Sequence, residues 1–287
     1  MNKTTFFAYA RRAPFGGRLS QAQVDGTNAI LAEAERRKLP NEQTAYVLAT
    51  AFHETGGKMQ PVVENLNYTT ASQIKKTWPS RFASVAAAQP YVRQPQKLAN
   101  KVYGGRMGNN TNNDGWTYRG RGLVQITGKD NYKKYGLGDN PDAALEDGTA
   151  VRILFDGMMN GKFTGKKLAD YFGKGKEDPE GARAIVNSTD KASLIASHYR
   201  SFLDSLVAAQ DNKPVTVEDA KPDDVPLLKD KTVQTIIAGT GGTFVTGLIG
   251  AVSNPWAFAT VGLVVVVAAA GFWLWRTGRL ELKRAEA

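Results

Sequence analysis

An uncharged run near the C-terminus places the strongest limit on how this chain can fold. Residues 256–275 contain no charged side chain and are largely aliphatic, and about 20 such residues span the roughly 30 Å hydrocarbon core of a bilayer. Trp256, Trp273 and Trp275 stand at its ends, as is typical of membrane interfaces. The run predicts a transmembrane helix rather than a core helix, because little chain follows that could bury it.

Basic residues indicate the topology of this segment. Arg276, Arg279, Lys283 and Arg284 follow it directly, which by the positive-inside rule predicts a cytoplasmic C-terminus. A second uncharged segment, 233–252, is rich in glycine and suits a helix packed against a neighbour. Two spans would leave the preceding domain in the cytoplasm, whereas one span would place it outside. The charges favour two spans, the composition favours one, and both topologies stay open.

The remaining sequence divides into two parts. Residues 1–210 show repeated amphipathic patterns that predict a mostly α-helical domain. Residues 211–232 are acidic and contain prolines, which predicts a linker. Residues 233–287 then form the predicted membrane segment with its basic cytoplasmic tail.

Composition narrows the classes of partner and site. The chain has no cysteine, which excludes disulfides and thiolate chemistry, and its two histidines are far apart, so no metal site is expected. The net charge of +10 suggests an anionic partner such as nucleic acid, lipid or bacterial cell wall. Lysines and arginines are spread out and no nucleic-acid motif is present, so nucleic acid is not expected. The short apolar run before Arg11 and Arg12 does not fit a signal peptide.

Several residues predict where helices begin. Ser20 with Gln23 fits a capping box. Asn41, Thr69 or Thr70, and Asp190 are candidate N-caps of later helices.

Two glutamates near the middle of the helical domain are candidate catalytic groups. Glu54 closes a helical pattern that Gly56 and Gly57 stop, and Glu64 lies on a segment that Pro61 biases away from helix. In such different environments one carboxyl group can be kept protonated and the other ionised. Hydrolysis of a glycosidic bond requires such a pair. On spacing alone, the plainer interpretation, a helix-end carboxylate and a solvated loop charge, is the favoured one.

A short strand is predicted over residues 123–127. Leu123, Gln125 and Thr127 alternate with Val124 and Ile126, and glycines precede them. The strand would point Gln125 and Thr127 to one side, and the plain alternative is a structural hairpin.

Five segments resemble the glycoside hydrolase family 19 domain, in the version found in phage endolysins and related bacterial cell-wall hydrolases. The resemblance covers residues 14–206. The segments, in family order, are FGGRL (15–19), AFHETGG (51–57), ENLNY (64–68), LANKVYGGRMGN (98–109) and YRGRGLVQITG (118–128).

The resemblance implies a lysozyme-like α+β fold, mostly α-helical, and an inverting hydrolysis. It implies that Glu54 is the general acid and Glu64 the general base, with their carboxyl groups roughly 6.5–9.5 Å apart. Thr127 would hold the attacking water, and Gln125, Tyr118 and Asn187 would line the sugar cleft.

The expected function is therefore a membrane-anchored, lysozyme-like peptidoglycan hydrolase of the endolysin type, without a metal or organic cofactor. Its partners would be peptidoglycan strands and a bilayer, at the bacterial inner membrane or in a virion, and it would act on the periplasmic wall. A chitinase and a catalytically inactive wall-binding component are the alternatives. A role in host lysis, genome entry or the cell envelope stays open.

Overall fold

The structure is a computed structural model, and it describes residues 1–173, 175–187 and 190–224. The α-helices of this part, in chain order, are α1 (Lys3–Arg12), α2 (Gln21–Arg36), α3 (Asn41–Glu54), α4 (Ala71–Thr77), α5 (Val85–Ala88), α6 (Pro95–Tyr103), α7 (Asp114–Thr117), α8 (Lys129–Lys133), α9 (Asp147–Asn160) and α10 (Ala192–Gln210). The strands are β1 (Val62–Val63), β2 (Arg121–Gly122), β3 (Phe172–Gly173) and β4 (Lys176–Glu177). A mostly helical fold with a small β content is confirmed.

The strands form two small antiparallel sheets. Val62 pairs with Gly122 where β1 meets β2, and Phe172 pairs with Glu177 where β3 meets β4. The β1–β2 pair joins the segment that carries Glu64 to the glycine-rich segment after Tyr118, which is the part of the fold that matters for the site.

No helix within the described ranges is both long and apolar enough to cross a bilayer. The predicted spans, 256–275 and 233–252, and the basic tail after them lie outside the described residues.

We name residues 1–64 and 118–224 the large lobe, and its core surrounds α3. Every residue of α3 from 44 to 51 is buried, as expected for a helix that other helices cover on all sides. The neighbours α1 and α10 contribute Phe6 and Phe202, whose rings stack at 6.5 Å, and Phe15 meets Phe202 edge-on at 6.0 Å. This packing fixes the end of α3, where Glu54 lies.

We name residues 65–117 the small lobe, and it has an apolar cluster of its own. The buried members are Leu66, Ala71, Ile74, Phe82, Ala88, Leu98, Ala99 and Val102. They come mainly from α4 and α6, with aromatic rings such as Tyr68 and Trp78 packed at the edge. The small lobe is therefore a second packing unit beside the large one.

The helix starts show where local signals were sufficient. The capping box of Ser20 and Gln23 is present at α2, and Thr70 caps α4. Asn41 is wrong as a cap, because Pro40 occupies that position and α3 begins at Asn41 without a side-chain cap. Asp190 is wrong as well, because Lys191 stands at the cap of α10 with a left-handed backbone.

The predicted strand over 123–127 is also wrong. The strand ends at Gly122, residues 123–125 form a turn, and Ile126 returns to bridge with Arg121. The turn closes because Gln125 adopts a left-handed backbone, with φ of 52°, and its amide Nε2 donates to the carbonyl of Gly122 at 3.2 Å. Gln125 and Thr127 are consequently placed by a turn rather than by strand alternation.

The described part of the predicted linker, residues 211–224, packs on the large lobe. The carboxylate of Asp223 accepts a hydrogen bond from the backbone N–H of Leu19 at 2.7 Å and pairs with Arg11 at 2.9 Å. Asp224 accepts from the N–H of Gln21 at the start of α2, where the helix dipole favours negative charge. The acidic residues that suggest a linker thus have specific partners here, while the domain boundaries stay predictions.

Candidate active site

Glu54 is the last residue of α3, and an arginine fixes its carboxylate. Gly56 and Gly57 follow with φ of 59° and 80°, so the chain turns away sharply where other residues would be strained. Arg183 Nη1 donates to Oε1 of Glu54 at 2.6 Å, and the exposed fractions of the two side chains are 4% for Arg183 and 18% for Glu54. Arg183 Nε also donates to the carbonyl of Asp190, so the guanidinium is itself fixed.

Glu64 follows β1, and hydrogen bonds from both lobes fix it. Its backbone N–H donates to the carbonyl of Gly120 at 2.9 Å, and its Oε2 accepts from the N–H of Gly120 at 3.2 Å. Its Oε1 accepts from the hydroxyl of Tyr103, on α6 of the small lobe. Burial and the neighbouring Glu64 raise the pKa of Tyr103, which keeps this hydroxyl a donor.

Gly120 brings Glu64 and Gln125 close together. A side chain built on Gly120 would place its Cβ 2.8 Å from Oε1 of Gln125 and 3.3 Å from Oε2 of Glu64. Gln125 Nε2 also donates to the carbonyl of Val62 at 2.8 Å, two residues before Glu64. Gln125 and Glu64 therefore meet at a position where only glycine leaves room for both.

A cavity of about 460 Å³ lies beside this arrangement. Its walls include four residues predicted for the site, namely Glu54, Gln125, Thr127 and Asn187. Cavities of about 300–1,000 Å³ are typical of ligand sites, and this one has room for a sugar ring. Thr127 Oγ1 donates to the carbonyl of Gln125 at 3.0 Å, so the hydroxyl is held on the same turn.

Two predicted residues lie elsewhere. Glu64 is not among the cavity walls, and it reaches them through Gly120 and Gln125. Tyr118 belongs to the core of the large lobe, where it is 6% exposed and its hydroxyl donates to the carbonyl of Gly138 at 2.7 Å. The structure gives Tyr118 the contacts of a scaffold residue, and its role in sugar binding stays a prediction.

Two supporting residues escaped the sequence reasoning. Arg183 lies in a short 3₁₀ helix, Gly181–Ile185, outside every motif, and Tyr103 ends a helix of the other lobe. Neither has a local signal, because each acts across a long sequence distance, although Tyr103 does lie inside one of the five segments.

The two histidines are neighbours of the site. Burial is the main cause that lowers the pKa of His53, next to Glu54, and burial also lowers the pKa of His198, with a further contribution from His53. His198 meets the ring of Phe52 at 4.8 Å. Within the described ranges, no group of three or more histidine, cysteine or acidic side chains could hold a metal ion.

Comparison with known proteins gives one relevant similarity. No model of a known protein family matches the chain. Over 122 residues the chain is 43% identical to a glycosyl hydrolase family 19 domain-containing protein of Haemophilus influenzae. The aligned region is 42% of this chain and 60% of that relative. The similarity supports a family 19 glycosyl hydrolase domain, and it does not extend to the endolysin type or to a membrane segment.

Proposed function

We propose that the chain is a glycoside hydrolase that cuts peptidoglycan strands by inverting acid–base hydrolysis. The observation that carries the proposal is the placement of Glu54 on the wall of a sugar-sized cavity, with Glu64 held next to the Gln125 that lines the same wall. The similarity to a family 19 domain-containing protein supports the same chemistry.

Glu54 would act as the general acid. Arg183 Nη1 donates a hydrogen bond to Oε1, so in the protonated form of Glu54 we assign to Oε2 the proton that passes to the leaving glycosidic oxygen. As the C–O bond breaks, positive charge develops on the sugar ring, and the leaving oxygen takes the proton. The fixed guanidinium keeps the carboxyl group aimed at the cavity, and orientation of this kind is a large part of the rate enhancement.

Glu64 would act as the general base. The N–H of Gly120 and the hydroxyl of Tyr103 each bind one of its oxygens, which orients the carboxylate toward a water molecule on the opposite face of the sugar. That water attacks the anomeric carbon and gives its proton to Glu64, so the product has the inverted configuration. Thr127 and Gln125 would help to hold the water and the sugar.

A clearance assay on purified peptidoglycan tests these roles. Glu54→Gln and Glu64→Gln should each reduce the rate about 10²–10⁴-fold, because each removes one proton transfer. Glu42→Gln is a matched control, since Glu42 is an exposed residue on the same helix α3. NMR of the new reducing end, recorded within seconds of cleavage, should show the inverted anomer first.

Two results would contradict the proposal. One is an unchanged rate in Glu54→Gln, and the other is a wild-type protein that clears no peptidoglycan and releases no sugar. Cleavage of chitin oligosaccharides alone would show the chitinase alternative.

We further propose that residues 256–275 anchor the protein in a membrane with a cytoplasmic C-terminus, on the sequence argument given above. Deletion of residues 225–287 should release the protein from membranes while its glycan cleavage persists. Sedimentation with the membrane fraction after that deletion would count against the anchor.

A further inference from the structure

The cavity that holds Glu54 has a stretch of wall that the proposed mechanism does not use. This stretch combines apolar and aromatic surface with a cation, and its members are Val124, Ile126, Tyr135, Lys162, Phe163 and Val186. Among the described residues, Lys162 is the one basic side chain on the cavity wall. Apolar surface beside a single positive charge suits a substituent of the sugar rather than the sugar ring, which is polar on most of its edge.

Hydrogen bonds fix the loop after α9, which carries this cation. The backbone N–H of Lys162 donates to the carbonyl of Gly157, in the last turn of α9, at 3.0 Å. The hydroxyl of Thr164 donates to the carbonyl of Ala184 at 2.6 Å. Ala184 directly follows Arg183, the residue that binds the proposed general acid. The loop is therefore fastened to the same short helix that orients the acid.

The ring of Phe163 is held in the same place by a glycine. A Cβ built on Gly157 would lie 1.9 Å from this ring, so the ring occupies the space that a side chain there would fill. The ring centroids of Tyr135 and Phe163 are 6.4 Å apart. Because Phe163 is half-buried and lines the cavity, it offers a fixed apolar surface to a ligand.

The charge of Lys162 is only weakly compensated. Its Nζ lies 3.9 Å from Oδ2 of Asp156, which is longer than a hydrogen bond. The same carboxylate is already bound by Arg37, at 2.8 Å. The Lys162 ammonium also lies 5.3 Å from the ring centroid of Tyr135. Burial raises the pKa of Tyr135, so this phenol stays neutral and the ammonium keeps its donors for an anion.

The peptide arm of a peptidoglycan strand has the matching chemistry. In an intact strand the lactyl carboxyl is used in the amide bond to the arm, so the first free carboxylate is the α-carboxylate of the second arm residue, a γ-linked glutamate. The lactyl and alanine methyl groups before it are apolar. Two extended residues span about 7 Å, so the arm reaches from a sugar in the cavity to a wall of the same cavity. Sugars of chitin carry no such arm.

We propose that Lys162 and Phe163 bind the peptide arm of the substrate, and that Lys162 recognises the carboxylate of the second arm residue. The inference rests on the proposed glycosidase function and deepens it by assigning residues that determine specificity. Glu54 and its neighbours act on the glycosidic bond, whereas these two residues select strands whose arms are intact and acidic.

Binding to the full chain carrying Glu54→Gln tests the inference without consuming the ligand. Both ligands are peptidoglycan tetrasaccharides whose arms are trimmed to alanine and glutamate and remain amide-linked to the lactyl groups. The glutamate α-carboxylate is free in the first ligand and is a carboxamide in the second. The affinity for the first should be about fivefold higher at low salt, and the preference should shrink as salt is added.

Lysine variants locate the preference. Lys162→Gln should lower it to below about twofold, because the charge that recognises the carboxylate is lost. Lys162→Arg keeps the charge and should keep the preference, which separates lost charge from a disturbed fold. Lys166→Gln is the matched control, since Lys166 is exposed on the same loop and does not line the cavity. It should leave the preference unchanged.

A change at Phe163 tests the apolar part of the contact. Phe163→Ala should lower the affinity for both arm-bearing ligands about threefold and leave their ratio unchanged, because the ring contacts the methyl groups that the two ligands share. The affinity for a chitin tetrasaccharide, which has no arm, should not change. An equal loss of affinity for chitin would assign the effect to a disturbed cavity and overturn the role of Phe163.

Equal affinity for the carboxylate and carboxamide ligands would overturn the inference, as would a preference that survives Lys162→Gln. Failure of the proposed function has a different signature. In that case the chain with Glu54 intact releases no reducing ends from either ligand, whatever their relative affinities.

Discussion

The two lobes differ in how their charges are paired. In the large lobe, buried or half-buried arginines pair with carboxylates, as Arg37 does with Glu33 and Asp156 and as Arg183 does with Glu54. In the small lobe, no basic side chain pairs with a carboxylate within the described ranges. These side chains are Lys75, Lys76, Arg81, Arg93, Lys97, Lys101 and Arg106. The contrast teaches that paired charges hold elements of the fold in place, whereas unpaired charges are available to a partner.

The two candidate catalytic groups follow the same division. Glu54 is fixed entirely by the large lobe, through α3 and Arg183. Glu64 is fixed by both lobes, because Gly120 belongs to the large lobe and Tyr103 to the small one. A displacement of one lobe against the other would therefore change the hydrogen bonds of the proposed base, Glu64.

Core truncations should give the largest effects and test whether the lobes are separate units. Phe155→Ala, at a fully buried position of the large lobe, should lower the free energy of unfolding by about 3–5 kcal/mol. Ile74→Ala, fully buried in the small lobe, should cost about 2–5 kcal/mol within its own cluster. Hydrogen exchange followed by mass spectrometry measures both lobes in one experiment.

The expected patterns differ between the two variants. Ile74→Ala should speed exchange in α4 and α6 and leave α3 and α10 protected, while Phe155→Ala should speed exchange throughout. Equal loss of protection in α10 on both substitutions would show one cooperative unit and end the distinction between the lobes.

Alanine substitutions at two glycines, one in each lobe, should give stability losses of intermediate size. A Cβ on Gly26 of α2 would lie 1.7 Å from the carbonyl oxygen of Met59, just after the turn that follows Glu54. A Cβ on Gly115 of α7 would lie 2.6 Å from the carbonyl oxygen of Ala99 in the small lobe. Each Gly→Ala change should cost about 1–3 kcal/mol, because backbone must move to relieve the overlap.

Melting temperature and glycan-cleavage rate should distinguish Gly26→Ala from a control variant. Gly26→Ala should lower both the melting temperature and the rate, while Gly148→Ala, where nothing lies within 4 Å, should change neither appreciably. A Gly26→Ala protein with wild-type stability would show that α2 and the turn are less tightly packed than the structure indicates.

The smallest effect concerns a paired acid of the large lobe. A hydrogen bond from Arg36, opposed by burial and aided by Arg37, lowers the pKa of Glu33 to about 2. An unfolded glutamate titrates near 4.3, so the stabilisation is present above that pH and is lost as the pH falls toward about 2. Glu33→Gln should cost about 1 kcal/mol at pH 7 after allowance for solvent screening.

Urea unfolding at several pH values measures this difference. The gap between wild type and Glu33→Gln should be constant above about pH 5 and should close between about pH 4.5 and 2. Glu35→Gln is the control, because Glu35 is exposed on the same helix and has no side-chain partner among the described residues. A gap that persists at pH 2 would assign the effect to packing instead.

Local chemistry made parts of the fold predictable. Ser20 with Gln23, Thr70, and the end of α3 at Glu54 are all where short-range patterns place them. The strand predicted over 123–127 is wrong, because alternation of apolar residues does not reveal that Gln125 takes a left-handed backbone and closes a turn.

The sequence indicated part of the candidate site. Four of the predicted residues, Glu54, Gln125, Thr127 and Asn187, line one cavity, whereas Glu64 and Tyr118 do not. Arg183 and the charge of the small lobe were missed, since pairing over 129 residues and segregation of charge between lobes both depend on the tertiary fold.

The ends of the described chain hold each other. The N–H of Asn2 donates to the carbonyl of Ala209 at 3.2 Å, Thr5 donates to the carbonyl of Lys213 at 3.1 Å, and Arg11 binds Asp223 at 2.9 Å. A mechanical pull on the chain beyond residue 224 would therefore be resisted first by α1, which would have to shear from these contacts before tension reached α3. These contacts should therefore limit how much of a force applied at the C-terminal side reaches α3, the helix that carries Glu54.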